Sequence, residues 1–124
     1  MKLNSLTPML RTWKLQETIA FYTKVLGFVV DATNDQAGWA ALHREGVSLM
    51  LSEPNPHEGD KYPRFTGSLY FNVDDVEAVW QQVKTKAAIS YPPETFFYGM
   101  REFGIYDNNG YLLQFGQEVA KPNE

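Results

Sequence analysis

The sequence predicts an α+β protein in which one strand–helix–strands unit is used twice. Two observations carry this. Leu10-Arg11-Thr12 leads into an apolar-striped helix ending at Phe21-Tyr22-Thr23-Lys24-Val25-Leu26-Gly27-Phe28, and Leu69-Tyr70-Phe71-Asn72-Val73-Asp74-Asp75 leads into a second helix ending near Lys86. Short strand-like runs follow each helix. A unit used twice points to a cleft between matched halves, whose lining decides what the protein does. The length, 124 residues, fits one domain over 1–124 with internal modules at about 3–53 and 66–118.

In the first module, Ser5 to Leu10 reads as a strand, placed at an edge or bulge because Pro8 cannot donate to a ladder. A helix is expected from Lys14 to Leu26, where Leu15, Ile19, Tyr22 and Leu26 form one buried stripe. Gly27 supplies the stop, since it takes a left-handed conformation cheaply. Phe28–Ala32, Trp39–His43 and Val47–Leu51 read as three strands, with turn chemistry at Asn34–Gly38 and Arg44-Glu45-Gly46, and they pair as an antiparallel meander.

Ser52 to Thr66 holds Pro54, Pro56, Gly59 and Pro63 and reads as a linker. In the second module, Gly67 to Val73 alternates cleanly as a strand, and Asp74 and Asp75 start a helix by accepting backbone N–H groups. Val76, Val79, Trp80 and Val83 form its buried stripe. Ile89–Tyr91, a Pro92-Pro93 break, Thr95–Tyr98, Met100–Tyr106, the turn Asp107-Asn108-Asn109-Gly110 and Tyr111–Gly116 complete the module. Lys121 to Glu124 reads as a frayed tail.

Composition narrows the function classes. The chain is 44% hydrophobic and 15% aromatic, enough for a packed core rather than a disordered segment. Its net charge of -4 and scattered basic residues argue against a nucleic-acid partner. With no cysteine, disulfides, thiol nucleophiles and Cys-built metal sites are excluded. Neither a signal peptide nor a membrane-length apolar run is visible, so a soluble cytoplasmic protein is the default expectation. Gly-rich phosphate loops and nucleophile motifs are absent as well.

Phe21-Tyr22-Thr23-Lys24-Val25-Leu26-Gly27-Phe28 resembles a signature of the vicinal oxygen chelate superfamily, which includes glyoxalase I, bleomycin and fosfomycin resistance proteins and extradiol dioxygenases. Arg101-Glu102-Phe103 followed by Asp107-Asn108-Asn109-Gly110-Tyr111 resembles its last hairpin, and Val73-Asp74-Asp75-Val76 its second-half helix start. The resemblance covers about residues 3 to 118 and implies two βαβββ modules whose sheets curl around a cup, commonly completed in a dimer. It departs from the family at Lys14, where an aspartate is usual, and at Asn108-Asn109, where Pro-Asp is usual.

By the same resemblance, the positions at which the family's enzymes hold a metal fall on Thr7, Met50, Ser68 and Gln114. Those enzymes use His, Glu or Gln there. A thioether is a poor partner for hard or borderline divalent ions and a neutral amide a weak one, so only Gln114 survives as a conceivable ligand. The expectation is no metal and no other cofactor, as in the antibiotic-binding branch.

Strand alternation assigns the cup lining. Trp39, Ala41 and His43, then Ser68, Tyr70 and Asn72, then Leu112, Gln114 and Gly116 face one way, with Tyr98 and Glu102 flanking a strand entry. Trp39, His43, Ser68, Tyr70, Asn72, Tyr98, Glu102 and Gln114 are the expected ligand-binding residues. For His43 a surface or hydrogen-bonded role competes with one in the cup, and His57 falls in the Pro-rich linker. Aromatic walls with sparse polar tips suit a small aromatic or amphipathic ligand, neutral to cationic. The reading is a metal-free small-molecule binding protein of the bleomycin-resistance type, antibiotic sequestration being one form of that activity, assembled as a homodimer. The alternatives are a metal-dependent lyase or dioxygenase with a non-standard set such as His43, Glu102 and Gln114, and a scaffold without a ligand.

Overall fold

The computed structural model describes residues 1–54 and 64–120. His57, Glu58 and Asp60 of the expected linker, and the tail from Lys121, lie outside the described residues. The chain divides into two compact units, Met1–Arg64 and Phe65–Glu124. Each is a βαβββ module with one four-stranded open sheet.

In the first unit, β1 (Met9–Arg11) is followed by α1 (Leu15–Ala20), a π-helical turn (Phe21–Val25), β2 (Val29–Asn34), β3 (Trp39–Arg44) and β4 (Val47–Ser52). The sheet order is β1-β4-β3-β2, with β1 parallel to β4 and the other pairs antiparallel. Leu10, Ala40, Leu42, Leu49 and Leu51 are buried, together with Leu15, Tyr22, Leu26 and Phe28. Tyr22 packs edge-on against Phe28, with centroids 5.9 Å apart.

Three expectations for this unit are corrected. The first strand is Met9–Arg11 rather than Ser5–Leu10, because the Pro8 carbonyl takes the Met50 N–H at 2.9 Å and the paired register begins only at Met9. The helix is α-helical only to Ala20, and its buried stripe runs through Thr18 rather than Ile19. A wider π turn, Phe21–Val25, follows it. Thr18 is accommodated because its Oγ1 donates to the Lys14 carbonyl at 2.8 Å and meets Thr12 Oγ1 at 2.9 Å, so no buried hydroxyl is stranded. Val47, which alternation with Leu49 and Leu51 places on the helix-packed face, is 38% exposed at the strand end. The helix does stop at Gly27, φ +75, where the Arg44 guanidinium donates to the Leu26 carbonyl at 2.5 Å.

In the second unit, β5 (Ser68–Asn72), α2 (Val76–Val83), β6 (Ala88–Thr95), β7 (Met100–Tyr106) and β8 (Leu112–Glu118) repeat the plan, with sheet order β5-β8-β7-β6 and β5 parallel to β8. Asp75 caps α2 by accepting the Ala78 N–H at 3.1 Å, and the Gln117 side chain accepts the Val76 N–H at 2.9 Å. Trp80 of α2 meets Phe103, which stacks on Phe115, which stacks on Phe71, at successive centroid distances of 5.1, 5.1 and 5.0 Å. This aromatic row fills the α2 side of the sheet. Asp107 closes the β7–β8 turn: its buried carboxylate accepts the Asn109 and Tyr111 N–H groups, and Gly110 takes φ +85.

The Pro92-Pro93 break is also corrected, since β6 continues through both prolines to Thr95. β6 lies at the sheet edge, where a missing N–H costs no ladder bond on the outer side, and its register with β7 shifts around the prolines. Among the described residues, no helix is long and apolar enough to cross a membrane.

Candidate functional site

The two sheets share one register frame. The Thr12 N–H reaches the Ser52 carbonyl at 3.0 Å in the first unit, and the Val73 N–H reaches the Gly116 carbonyl at 2.9 Å in the second. From these anchors the ladders match rung by rung. Met9, Met50 and Ala41 lie abreast in one sheet, and Tyr70, Gln114 and Gly104 in the other. One rung on, Trp39 faces Ser52 where Glu102 faces Gly116.

In the second unit these rungs build a polar cluster on the face away from α2. Glu102 is only 3% exposed, yet three phenols converge on it. Oε1 accepts from Tyr70 at 3.1 Å and from Tyr98 at 2.5 Å, while Oε2 accepts from Tyr91 in a short bond. The Gln114 amide donates to the Tyr91 hydroxyl at 2.9 Å, and its carbonyl accepts from Ser68 Oγ at 2.6 Å. Every donor in the chain from Ser68 through Gln114 and Tyr91 points toward Glu102. This is how a buried carboxylate without a cationic partner among the described residues is satisfied.

Two glycines make the space. A Cβ on Gly104 would lie 2.5 Å from Tyr91 Cε1, and one on Gly116 would lie 1.9 Å from the Tyr70 hydroxyl oxygen. Tyr98 is carried by the turn between β6 and β7, closed by the Gly99 N–H to the Phe96 carbonyl at 3.1 Å. Its ring stacks on Phe96 at 5.5 Å, and Phe96 meets Tyr91 edge-on at 6.1 Å.

The phenols respond to their setting. Burial, then the hydrogen bond to Glu102 and its charge, pushes Tyr70 up to about 12. Tyr98 is also raised to about 12, first by its bond to Glu102. Tyr91 is raised as well, chiefly by burial and then by Glu102, with the Gln114 N–H opposing.

Of the expected ligand-binding residues, Ser68, Tyr70, Tyr98, Glu102 and Gln114 are thus brought together. Asn72 lies exposed at the end of β5, outside the network. Trp39 and His43 belong to the first unit. The Trp39 indole N–H donates to Met50 Sδ at 3.3 Å. His43 Nδ1 bonds Asp31 at 2.7 Å with both side chains nearly half exposed, the β-bulge between Val30 and Ala32 having freed Asp31 from the ladder. Tyr91 and Gly104 were not among the expected residues, and Gly116 was expected on this face without a role of its own. The signal for Tyr91 was its place on an outer strand beside β7, hidden by the two prolines after it.

A metal does not fit the family positions. Thr7 lies before β1 and is exposed, so the residue abreast of Met50 is Met9, a second thioether. Gln114 Oε1, the atom a metal would take, accepts from Ser68. No group of three or more His, Cys, Asp or Glu able to hold a metal occurs among the described residues.

The family model described as the glyoxalase/bleomycin resistance protein/dioxygenase superfamily matches residues 2–115. The chain belongs to that superfamily. Among solved structures it is similar to a glyoxalase/bleomycin resistance protein/dioxygenase from Nocardioides, with 16% identity, TM-score 0.75 and coverage of 100% of this chain and 91% of that one. It is likewise similar to TioX from Micromonospora sp. ML1, with 18% identity, TM-score 0.75 and coverage of 94% and 100%. An integron cassette protein from the mobile metagenome of V. cholerae gives 24% identity, TM-score 0.71 and coverage of 94% and 97%. At these identities the likeness is one of fold. No curated protein sequence matches the chain.

Proposed function

We propose that this superfamily member is a cytoplasmic small-molecule binding protein that holds an aromatic or amphipathic ligand without altering it and without a metal, antibiotic sequestration being one form of that activity. The observation that carries the reading is the cluster around Glu102. A carboxylate, an amide and a hydroxyl are locked by hydrogen bonds beside the rings of Tyr70, Tyr91, Tyr98 and Phe96. Such a surface offers stacking area and a few fixed polar groups, the ordinary chemistry of a ligand site. Its three phenols are held in the protonated form, each raised above the ordinary phenol value beside Glu102. Trp39, with its indole oriented by Met50, and His43, with its ring oriented by Asp31, are assigned to the ligand wall of the first unit, and Asn72 to the margin of the second.

The assembly is read as a homodimer. Every residue of edge strand β2 is exposed, with Val29 and Val30 among them, and pairing between copies would cover such an edge. Light scattering should give twice the 14.2 kDa chain mass at micromolar concentration.

The test is a screen of aromatic small molecules followed by NMR of ring-labelled tyrosine, with the ligand recovered and weighed by mass spectrometry. The expected result is saturable perturbation of the Tyr70, Tyr91 and Tyr98 signals and recovery of an unchanged compound. Turnover of the compound, or binding that leaves all three tyrosines undisturbed, would overturn the reading.

A further inference from the structure

We infer that the Glu102 cluster selects an organic cation carrying at least one N–H, such as a protonated amine with an aromatic body, and that this N–H takes over the acceptor position now filled by the Tyr98 hydroxyl. The inference rests on the binding role just proposed and narrows it to one ligand chemistry.

The acceptor geometry comes first. Each carboxylate oxygen accepts about two hydrogen bonds. Glu102 Oε1 holds two, from Tyr70 and Tyr98, whereas Oε2 holds one, from Tyr91. All three donors are neutral. Arg101, the neighbouring cation in sequence, is directed to Glu77 at 2.6 Å and to Thr95 at 3.2 Å. The carboxylate, 3% exposed, therefore has only neutral donors bonded to it and no cationic partner among the described residues. A cation with an N–H supplies both the missing charge and a stronger, charge-assisted bond.

The three donors are not equally held. The Tyr91 hydroxyl is also an acceptor, for Gln114, and its ring fills the space over Gly104. The Tyr70 hydroxyl sits over Gly116. Tyr98 hangs from a turn, is 46% exposed, and touches aromatic neighbours Phe96 and Phe97. It is more exposed than Tyr70, at 38%, and unlike Tyr70 and Tyr91 it lies outside the strands, although its bond to Glu102 is shorter than that of Tyr70. Once it swings aside, Glu102 Oε1 loses one bond and needs a replacement. A quaternary ammonium has charge but no N–H, and a neutral alcohol has a donor but no charge. The first would leave that acceptor position unmet, and the second would restore the bond without adding a counter-charge. The ring faces of Tyr70, Tyr91 and Phe96 then favour the cation's alkyl and aryl groups.

The experiment compares N,N-dimethylbenzylamine in its protonated form, benzyltrimethylammonium and benzyl alcohol on the whole protein, by calorimetry and by tyrosine-ring NMR. The amine is expected to bind tighter than both others by about ten-fold or more, with the Tyr98 signals moving most. Glu102→Gln should abolish that preference. Tyr98→Phe, which removes the competing hydroxyl while keeping the ring, should preserve or tighten amine binding. If all three probes bind alike and move the cluster tyrosines, the binding role stands and the N–H cation falls. If no probe moves any cluster tyrosine, the binding role falls for this face and takes the inference with it. Tyr98→Phe weakening amine binding about ten-fold or more relative to the unaltered protein would overturn the replacement of the hydroxyl, and that comparison does not need Glu102→Gln to fold.

Discussion

The Tyr70 hydroxyl occupies the volume that a side chain on Gly116 would need, so close that an added Cβ would lie 1.9 Å from its oxygen. Gly116→Ala should therefore push Tyr70 off Glu102 and cost about 1–3 kcal/mol of stability. Gly46→Ala is the matched control, because an added Cβ there meets open space. It should be neutral or gain about 0.4–1 kcal/mol. Urea denaturation of both variants checks this, and equal stabilities would contradict the close fit.

Alkaline pH should expose the cluster. Tyr70 and Tyr98 titrate near 12 instead of 10.0, and Tyr91 is raised too. A tyrosine whose folded value lies above its unfolded value stabilises the fold fully below about pH 10, and that stability is lost as pH rises toward 12. Absorbance of ionised tyrosine should show a late group in the native protein. In Glu102→Gln that group should move down, and Tyr98 furthest, since its bond to Glu102 is its leading cause whereas burial leads for the other two. A titration unchanged by Glu102→Gln would remove Glu102 as the cause.

Metal addition should change little. Protein purified without chelator should hold far less than one equivalent of zinc, nickel, manganese or iron after gel filtration. Chelator should also leave the melting temperature where it was. Stoichiometric metal would mean that Gln114 gives up Ser68 and turns its carbonyl outward.

Much of this arrangement was legible in the sequence. Gly27, the Asp75 cap and the Asn-Gly turn each name a backbone geometry by residue type alone, and each occurs. Strand alternation was enough to put Ser68, Tyr70 and Gln114 on one face, because a period of two leaves only two choices, whereas Glu102 was read only as flanking a strand entry. Tyr91 was hidden because proline reads as a strand breaker until the strand is known to be an edge. Thr18 was hidden because its burial depends on Thr12 and on the Lys14 carbonyl, a tertiary pairing with no helical period. The pairing of His43 with Asp31 turned on a bulge that pattern does not locate.

Asp75→Ala should cost about 0.5–2 kcal/mol, the usual penalty for losing an N-cap, because the Ala78 N–H loses its acceptor. Thermal unfolding by circular dichroism checks it. Asp75→Asn should recover most of the loss.

Trp39→Ala should weaken ligand binding by about 1–3 kcal/mol if the indole is a binding anchor. Calorimetry with a ligand found in the screen, beside urea denaturation of the same variant, separates the two roles. Unchanged affinity with lowered stability would make Trp39 a packing residue against Met50.

The matched ladders have one more consequence. The same backbone positions carry Met9, Met50, Ala41 and Trp39 in one copy and Tyr70, Gln114, Gly104 and Glu102 in the other. The frame works as a socket indifferent to its fittings: one copy accepts two thioethers and an indole, the other a phenol, an amide and a carboxylate. In a duplicated fold of this kind, one copy is free to acquire new chemistry while the other keeps its own. Exchanging the fittings between copies is then a route to redesign that leaves both ladders in place.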